Sequence, residues 1–219
     1  MGHHGGVSVW TIVVAAGRGE RFGTPKQLMP LGDRRVLDHA LAAAAASSDG
    51  VVLVVPADAA WDVGDVRTVV GGQTRSESVR AGLTMVPDGA EIVLVHDAAR
   101  PLADRALFSR VIDAVRGGAD GVVPGLPIAD TVKQVRDGAI IGTVARETLV
   151  IVQTPQGFRA PVLRAAHAQS TEGTDDAAVV EAAGGTVVVV AGDVDNFKIT
   201  EPADLARAES VLAARESRS

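Results

Sequence analysis

The chain has no cysteine. That excludes structural disulfides, thiolate metal sites and a thiol nucleophile, and makes a reducing cytoplasm its simplest compartment. It has no apolar run approaching the roughly 18 residues needed to cross a bilayer, and the apolar stretch 7–16 lacks the basic leader of a secretory signal. A soluble protein with no membrane partner is expected. Positive charge is also short, with 21 Lys and Arg against 27 Asp and Glu, a net charge of −6. Nucleic acid is therefore excluded as a general partner, because neutralising a phosphate backbone takes gathered positive charge.

What is present is apolar material, 47% of 219 residues, enough for one sizeable core. Residues 1–6, two histidines among glycines after Met1, read as a disordered end or a cloning remnant, and 7–219 as a single domain. Short apolar, β-branched runs recur at 7–15, 51–55, 67–70, 92–95, 121–123, 150–154 and 186–190. Helical patterns lie between and after them at 35–46, 76–85, 104–116, 161–169, 175–183 and 202–215. Near-continuous apolar strands alternating with helices predict a doubly wound, mostly parallel α/β sheet flanked by helices. Ligands of such sheets sit beyond the carboxyl ends of the strands, which directs attention to the loops after 15, 70, 95 and 190.

One segment breaks the alternation. DTVKQVRDGAIIGTVAR, 130–146, reads as two extended runs around Asp137-Gly138, a strong hairpin signal. A regular register from that turn pairs Arg136 with Ala139, Thr131 with Val144 and Ala129 with Arg146, making Thr131 and Arg146 diagonal neighbours about 7 Å apart at the backbone. A lone two-stranded hairpin is marginal in water. A protruding arm at about 126–149 that packs on a second subunit, giving a homodimer, is expected.

After the first strand comes AAGRGERFGTPKQL, 15–28. Gly17, Gly19 and Gly23 let the backbone approach a ligand, and Arg18, Arg21 and Lys26 concentrate positive charge in an otherwise acidic chain; together they suit a triphosphate. A dinucleotide fingerprint would need glycine at 22, which is Phe22, and an acidic residue after the second strand, where Val55-Pro56-Ala57 stands instead. The P-loop pattern lacks its G-K-[ST].

With AAGRGERF (15–22) and PKQ (25–27), the segments GGQTRSESV (71–79), VHDAARP (95–101), TPQGF (154–158) and DNFKIT (195–200) resemble the 2-C-methyl-D-erythritol 4-phosphate cytidylyltransferase family, in that family's order from 15 to about 204. The resemblance implies a Rossmann-like nucleotidyltransferase fold and the third step of non-mevalonate isoprenoid synthesis. In that step CMP passes from CTP to 2-C-methyl-D-erythritol 4-phosphate, giving 4-diphosphocytidyl-2-C-methyl-D-erythritol and pyrophosphate. It also implies Mg²⁺ or another divalent cation, and a homodimer joined through the 130–146 hairpin.

Residue roles follow from the same resemblance. Arg21 and Lys26 are the catalytic pair, placed where charge grows on the α-phosphate and the departing pyrophosphate. Ala15, Ala16 and Gly17 line base and phosphates; Gly72 and Ser78 make the second nucleotide contact. Gln73 stands where the family commonly has an acid, which leaves its part in base or ribose contact open. Asp97 is assigned to the CTP side and to the metal, with Asp195 as a second metal carboxylate, in keeping with the one or two that Mg²⁺ usually takes. Thr131 and Arg146 of the partner subunit and Lys198 of the home subunit hold the polyol phosphate, with Arg100 and Thr154 on the same side and Asp175 or Asp176 near the polyol. His39 and His167 lie outside these motifs and are given no acid or base role. None is required, since a phosphate monoester with a second pKa near 6 is largely deprotonated at neutral pH.

Three other readings remain. Ribitol 5-phosphate cytidylyltransferases share nucleotide and reaction but usually depart from the double alanine Ala98-Ala99. Guanylyl or sugar nucleotidyltransferases share the first loop but not the hairpin with VHDAARP and DNFKIT. A non-enzymatic nucleotide sensor would have no need of Arg21 and Lys26.

Overall fold

The computed structural model describes residues 7–17, 25–169 and 171–217. Arg21, with Arg18, Gly19 and Gly23, lies outside the described residues. In chain order the elements are β1 (Val9–Val14), β2 (Pro30–Leu31), β3 (Arg34–Arg35), α1 (Val36–Ala45), β4 (Gly50–Val55), β5 (Arg67–Val70), α2 (Arg75–Met85), β6 (Ile92–Asp97) and α3 (Arg105–Arg116). There follow β7 (Gly121–Pro127), β8 (Val132–Arg136), β9 (Ala139–Val144), β10 (Val150–Val152), β11 (Gln156–Arg159), α4 (Ala160–Ala168), α5 (Asp176–Ala182), β12 (Val187–Ala191) and α6 (Pro202–Glu216).

The main sheet runs β5, β4, β1, β6, β11, β7, and β10 and β12 also pair with β7. The pairs β1–β4, β1–β6, β4–β5 and β7–β12 are parallel. Both faces are covered, which is why β1, β4 and β6 read as unbroken apolar runs. Val9, Val13, Leu53 and Leu94 pack with Leu37 of α1 and Leu107, Phe108 and Val111 of α3. On the opposite face Ile12, Val52, Val54, Val93 and Val95 meet Val79 and Leu83 of α2, Leu163 of α4 and Val180 of α5. The chain leaves β1 toward β4 and β5, then returns to the other flank of β1 as β6. That reversal puts the topological switch between β1 and β6, where the loops after both strands diverge and leave a crevice.

Caps match the helix starts. Thr74 accepts the Glu77 N–H, Asp104 that of Leu107, and Asp175 that of Ala178, each satisfying a backbone donor the helix leaves open. A third, smaller cluster of Leu31, Val36, Leu102, Ile199 and Ala208 fastens α6 and the segment before it to the β2–β3 turn.

Two expectations are corrected. The 150–154 run is not another parallel strand: β10 is antiparallel to β7, and β11, inside TPQGF, is antiparallel to both β6 and β7. No helix crosses over between β7 and β10, so the chain comes back in the opposite direction. The second correction is the hairpin register. Asp137 and Gly138 take φ of 49° and 79°, as a tight two-residue hairpin turn demands, and Arg136 faces Ala139. Beyond the turn Val135 pairs with Ile140 but Gln134 with Gly142, and Val132 rather than Thr131 faces Val144. Ile141 is the extra residue of a β-bulge, which flips the side-chain alternation of everything beyond it. Thr131 and Arg146 therefore lose the diagonal placing, although Arg146 Nη1 does donate to the Ala129 carbonyl.

Candidate active site

The turn after β1 is built from both sides. Ala15 donates its N–H to the Val54 carbonyl at 2.8 Å. The buried Gln27 side chain reaches back so that Nε2 donates to the carbonyls of Ala15 at 2.6 Å and Gly17 at 2.8 Å. Beside it, a Cβ on Gly71 would lie 2.6 Å from the Ala16 methyl and 2.7 Å from the Ser78 hydroxyl, while one on Gly17 would meet nothing within 4 Å among the described residues. Gly71 is thus a glycine because neighbours fill its space. Ser78 donates its hydroxyl to the Thr74 carbonyl and keeps only lone pairs for a ligand. At Gly72 and Gln73 the nearby acid is Glu77, whose carboxylate accepts the N–H groups of Gln73 and Thr74; the Gln73 residue is exposed.

At the end of β6 stands Asp97. Its Oδ2 is 2.7 Å from Lys198 Nζ and its Oδ1 3.5 Å from Arg75 Nε. Burial alone would push the carboxyl pKa up, but the Lys198 ammonium, then the Arg75 guanidinium, hold it well below the usual carboxylate range. The Asp97 N–H donates to the Thr154 hydroxyl at 3.0 Å, and that hydroxyl lies 3.1 Å from His96 Nδ1. His96 Nε2 faces the Arg100 carbonyl at 3.1 Å, which can only accept. Burial pushes the imidazole down to about 4, so the neutral ring donates from Nε2 and accepts the Thr154 proton at Nδ1. The Thr154 hydroxyl is therefore committed to holding Asp97, not free to donate to a phosphate. Arg100 spends Nη1 on the Asn196 carbonyl at 2.8 Å.

Arg75, Asp97, Arg100, Thr154, Gln156 and Lys198 line a cavity of about 240 Å³ at the carboxyl ends of the parallel strands. A larger one, about 350 Å³, opens at the amino end of β1 among Val9, Asp49 and Arg116; the smaller has the convergent charges, and it carries the site. Lys26 Nζ donates to the Ile199 carbonyl at 2.8 Å, so the first loop touches the segment that carries Lys198.

Not every expected residue converges. Asp195 does not line the cavity; its Oδ2 faces Arg215 of α6 at 3.8 Å. Thr131 and Arg146 remain on the arm outside the cavity, with Arg146 Nε 3.7 Å from Glu147. Among the described residues no group of three or more His, Asp or Glu could cage a metal. Asp97, ionised and at the cavity wall, suits Mg²⁺ as a single carboxylate beside triphosphate and water oxygens.

Residues that the sequence reading passed over hold the site together. Arg75 sits within GGQTRSESV and Gln27 within PKQ; both segments were singled out, but for their neighbours. Gln156 Oε1 accepts the Asp176 and Ala177 N–H groups, and Asn196 Nδ2 donates to the Thr154 carbonyl at 2.9 Å. Their signal was being buried and polar, which sequence does not display.

Residues 9–214 match the family model described as 2-C-methyl-D-erythritol 4-phosphate cytidylyltransferase. A protein of that name from Streptomyces coelicolor is 47% identical over 93% of this chain and 84% of its own length. One from Nocardia farcinica is 47% identical over 95% of each. The crystal structure of the Thermus thermophilus protein of that name superposes with a TM-score of 0.81 at 36% identity, covering 92% of this chain and 98% of that one.

Proposed function

The chain belongs to the 2-C-methyl-D-erythritol 4-phosphate cytidylyltransferase family, and from that premise we propose that the cavity at Asp97 is where CMP from CTP is joined to the phosphate of 2-C-methyl-D-erythritol 4-phosphate, with release of pyrophosphate. The observation that carries this reading is the pairing of Lys198 and Arg75 with the single carboxylate Asp97, with Arg100 lining the same cavity, at the strand end next to the turn after β1. Cationic groups facing a shared crevice can hold two anionic substrates together, and in-line attack on the α-phosphorus needs little else.

In this reading the CTP base and ribose lie over Ala16, Gly72 and Ser78, and its phosphates follow the bare backbone at Gly17. Arg21 and Lys26 stabilise the charge that grows on the α-phosphate and pyrophosphate. Lys198 receives the polyol phosphate, and its attacking oxygen, already deprotonated, needs no base. Asp97 would hold Mg²⁺, which when bound would supply charge neutralisation at the triphosphate. Gln156 and Asp175 provide polar wall for polyol hydroxyls.

A homodimer joined by the β8–β9 arm completes the proposal, with Thr131 and Arg146 of one protomer serving the site of its partner. Val135, Ile140 and Ile141 on the arm are 57%, 66% and 48% exposed, apolar surface that a second subunit would cover. The absence of cysteine suits the cytoplasm as the place of action.

The deciding experiment is pyrophosphate release with CTP against methylerythritol phosphate, ribitol phosphate and glycerol phosphate. Turnover with the first is expected; preference for ribitol phosphate would overturn the substrate, and no turnover with any would overturn the activity.

A further inference from the structure

Behind the cavity a line of buried charge runs through four elements. The Asp176 carboxylate, at the start of α5, is fully buried. Its Oδ2 is 2.7 Å from Arg75 Nη1, at the start of α2, and its Oδ1 is 3.0 Å from Nε2 of the buried His167 of α4. Its backbone N–H is held by Gln156 of β11 at 3.1 Å. Arg75 then reaches Asp97 of β6 at the looser distance of 3.5 Å.

Buried carboxylates are costly unless paired, and a pair this deep could serve stability alone. Its geometry argues for more. A guanidinium is a rigid planar fork that prefers to grip one carboxylate with two parallel bonds. Without Asp176, Asp97 and Asp175 would be the anions facing Arg75, and a bidentate grip on Asp97 would compete with Lys198. Asp176 takes the shorter contact instead. It holds the guanidinium back, so that Asp97 keeps a close bond to Lys198 and an Oδ1 open to the cavity. Neither Nη1 nor Nη2 of Arg75 makes an aligned hydrogen bond among the described residues, and neither does Asp176 Oδ2, so the 2.7 Å contact is an ion pair and the fork is closed on neither carboxylate.

We infer that Asp176 is a positioning residue for the transfer: acting through Arg75, it sets where the Asp97 carboxylate and the Lys198 ammonium stand at the cavity wall. The inference rests on the proposed reaction at this site. Asp176 touches no substrate in this role. Its effect reaches the reaction through one side chain, and that coupling is what an experiment can isolate.

The test compares Asp176→Asn, Arg75→Gln and the double variant Arg75→Gln/Asp176→Asn by pyrophosphate release, with CTP binding followed separately by calorimetry and folding by thermal melting. Asp176→Asn is expected to lower kcat/KM for the polyol phosphate on the order of tenfold or more, the usual scale for a residue that orients a ligand-binding group, with CTP affinity in the absence of Mg²⁺ unchanged. The double variant should be no worse than Arg75→Gln, because one residue acts through the other. A folded Asp176→Asn enzyme with wild-type kcat/KM, or losses that add in the double variant, would overturn the inference. Should Asp176→Asn fail to fold with Arg75 left uncompensated, the neutral pair in the double variant decides alone, by equalling or falling below Arg75→Gln. Wild-type chain that releases no pyrophosphate would instead sink the reading of the site itself.

Discussion

Lys198 and Asp97, 101 residues apart in sequence, meet with Nζ and Oδ2 2.7 Å apart. The contact keeps the carboxylate ionised throughout the physiological range and parks an ammonium at the cavity wall, where an incoming phosphate can share it. Lys198→Met is expected to raise KM for the polyol phosphate about ten- to hundredfold, equivalent to about 1.5–3 kcal/mol for a hydrogen bond to a charged group. KM for CTP should stay as it is. Steady-state kinetics with each substrate varied in turn checks this.

The cations of the first loop are expected to act on the chemical step. Arg21→Ala or Lys26→Ala should lower kcat by about 10²–10³, the scale of removing a group that stabilises transition-state charge, with circular dichroism unchanged. Pyrophosphate release near the wild-type rate from either variant would remove that residue from the catalytic pair.

Gln27 is the brace under the same loop. Gln27→Leu takes the donor from two carbonyls at once and should cost about 1–3 kcal/mol of stability for the buried acceptors left without partners. It should also weaken CTP more than the polyol phosphate. Urea unfolding and isothermal calorimetry measure the two effects independently.

His96 gives the protein a pH signature. Its imidazole is held down to about 4 in the fold, against an ordinary value near 6.5. The unfolded chain therefore takes up a proton near pH 6.5 that the folded one refuses until about pH 4. The stability involved is whole above pH 6.5 and drains away between there and pH 4, amounting to about 3 kcal/mol. Asp97, held below its usual range, contributes its own loss only at lower pH. Urea midpoints should fall from pH 7 to 4.5 in the wild type and fall less in His96→Asn.

For the arm, Ile140→Asp should turn a dimer into monomers in sedimentation velocity, and Arg146→Ala should raise KM for the polyol phosphate while leaving the dimer intact. An unchanged KM would count against a shared phosphate pocket.

The layered α/β architecture was open to reading because its strands are short, apolar and regularly interrupted by helical patterns. The antiparallel turn at β11 was hidden, since four residues of mixed character, QGFR, carry no periodicity. In the arm, the Asp-Gly turn was legible but the bulge at Ile141 was not, because every residue of IIG is compatible with either register. The motifs led to Asp97 and Lys198 as candidates. They placed Asp176 near the polyol, whereas it is fully buried against Arg75, and they did not reveal Arg75, Gln27 and His96, whose importance comes from partners distant in the chain.

The reversed direction of β11 has a consequence for how much the protein can vary. Because β11 runs against β6, its first residues, not its last, stand at the rim where the parallel strands end. Thr154 and Gln156 thereby join the cavity from a strand's beginning, while Arg159 and the entry into α4 emerge at the far rim beside Asp120 and Glu91. Insertions in the exposed turn at Gly117 and Gly118 should be accommodated by a folded and active protein, whereas a single residue added between Val152 and Gln156 would shift Thr154 off the Asp97 amide and silence it.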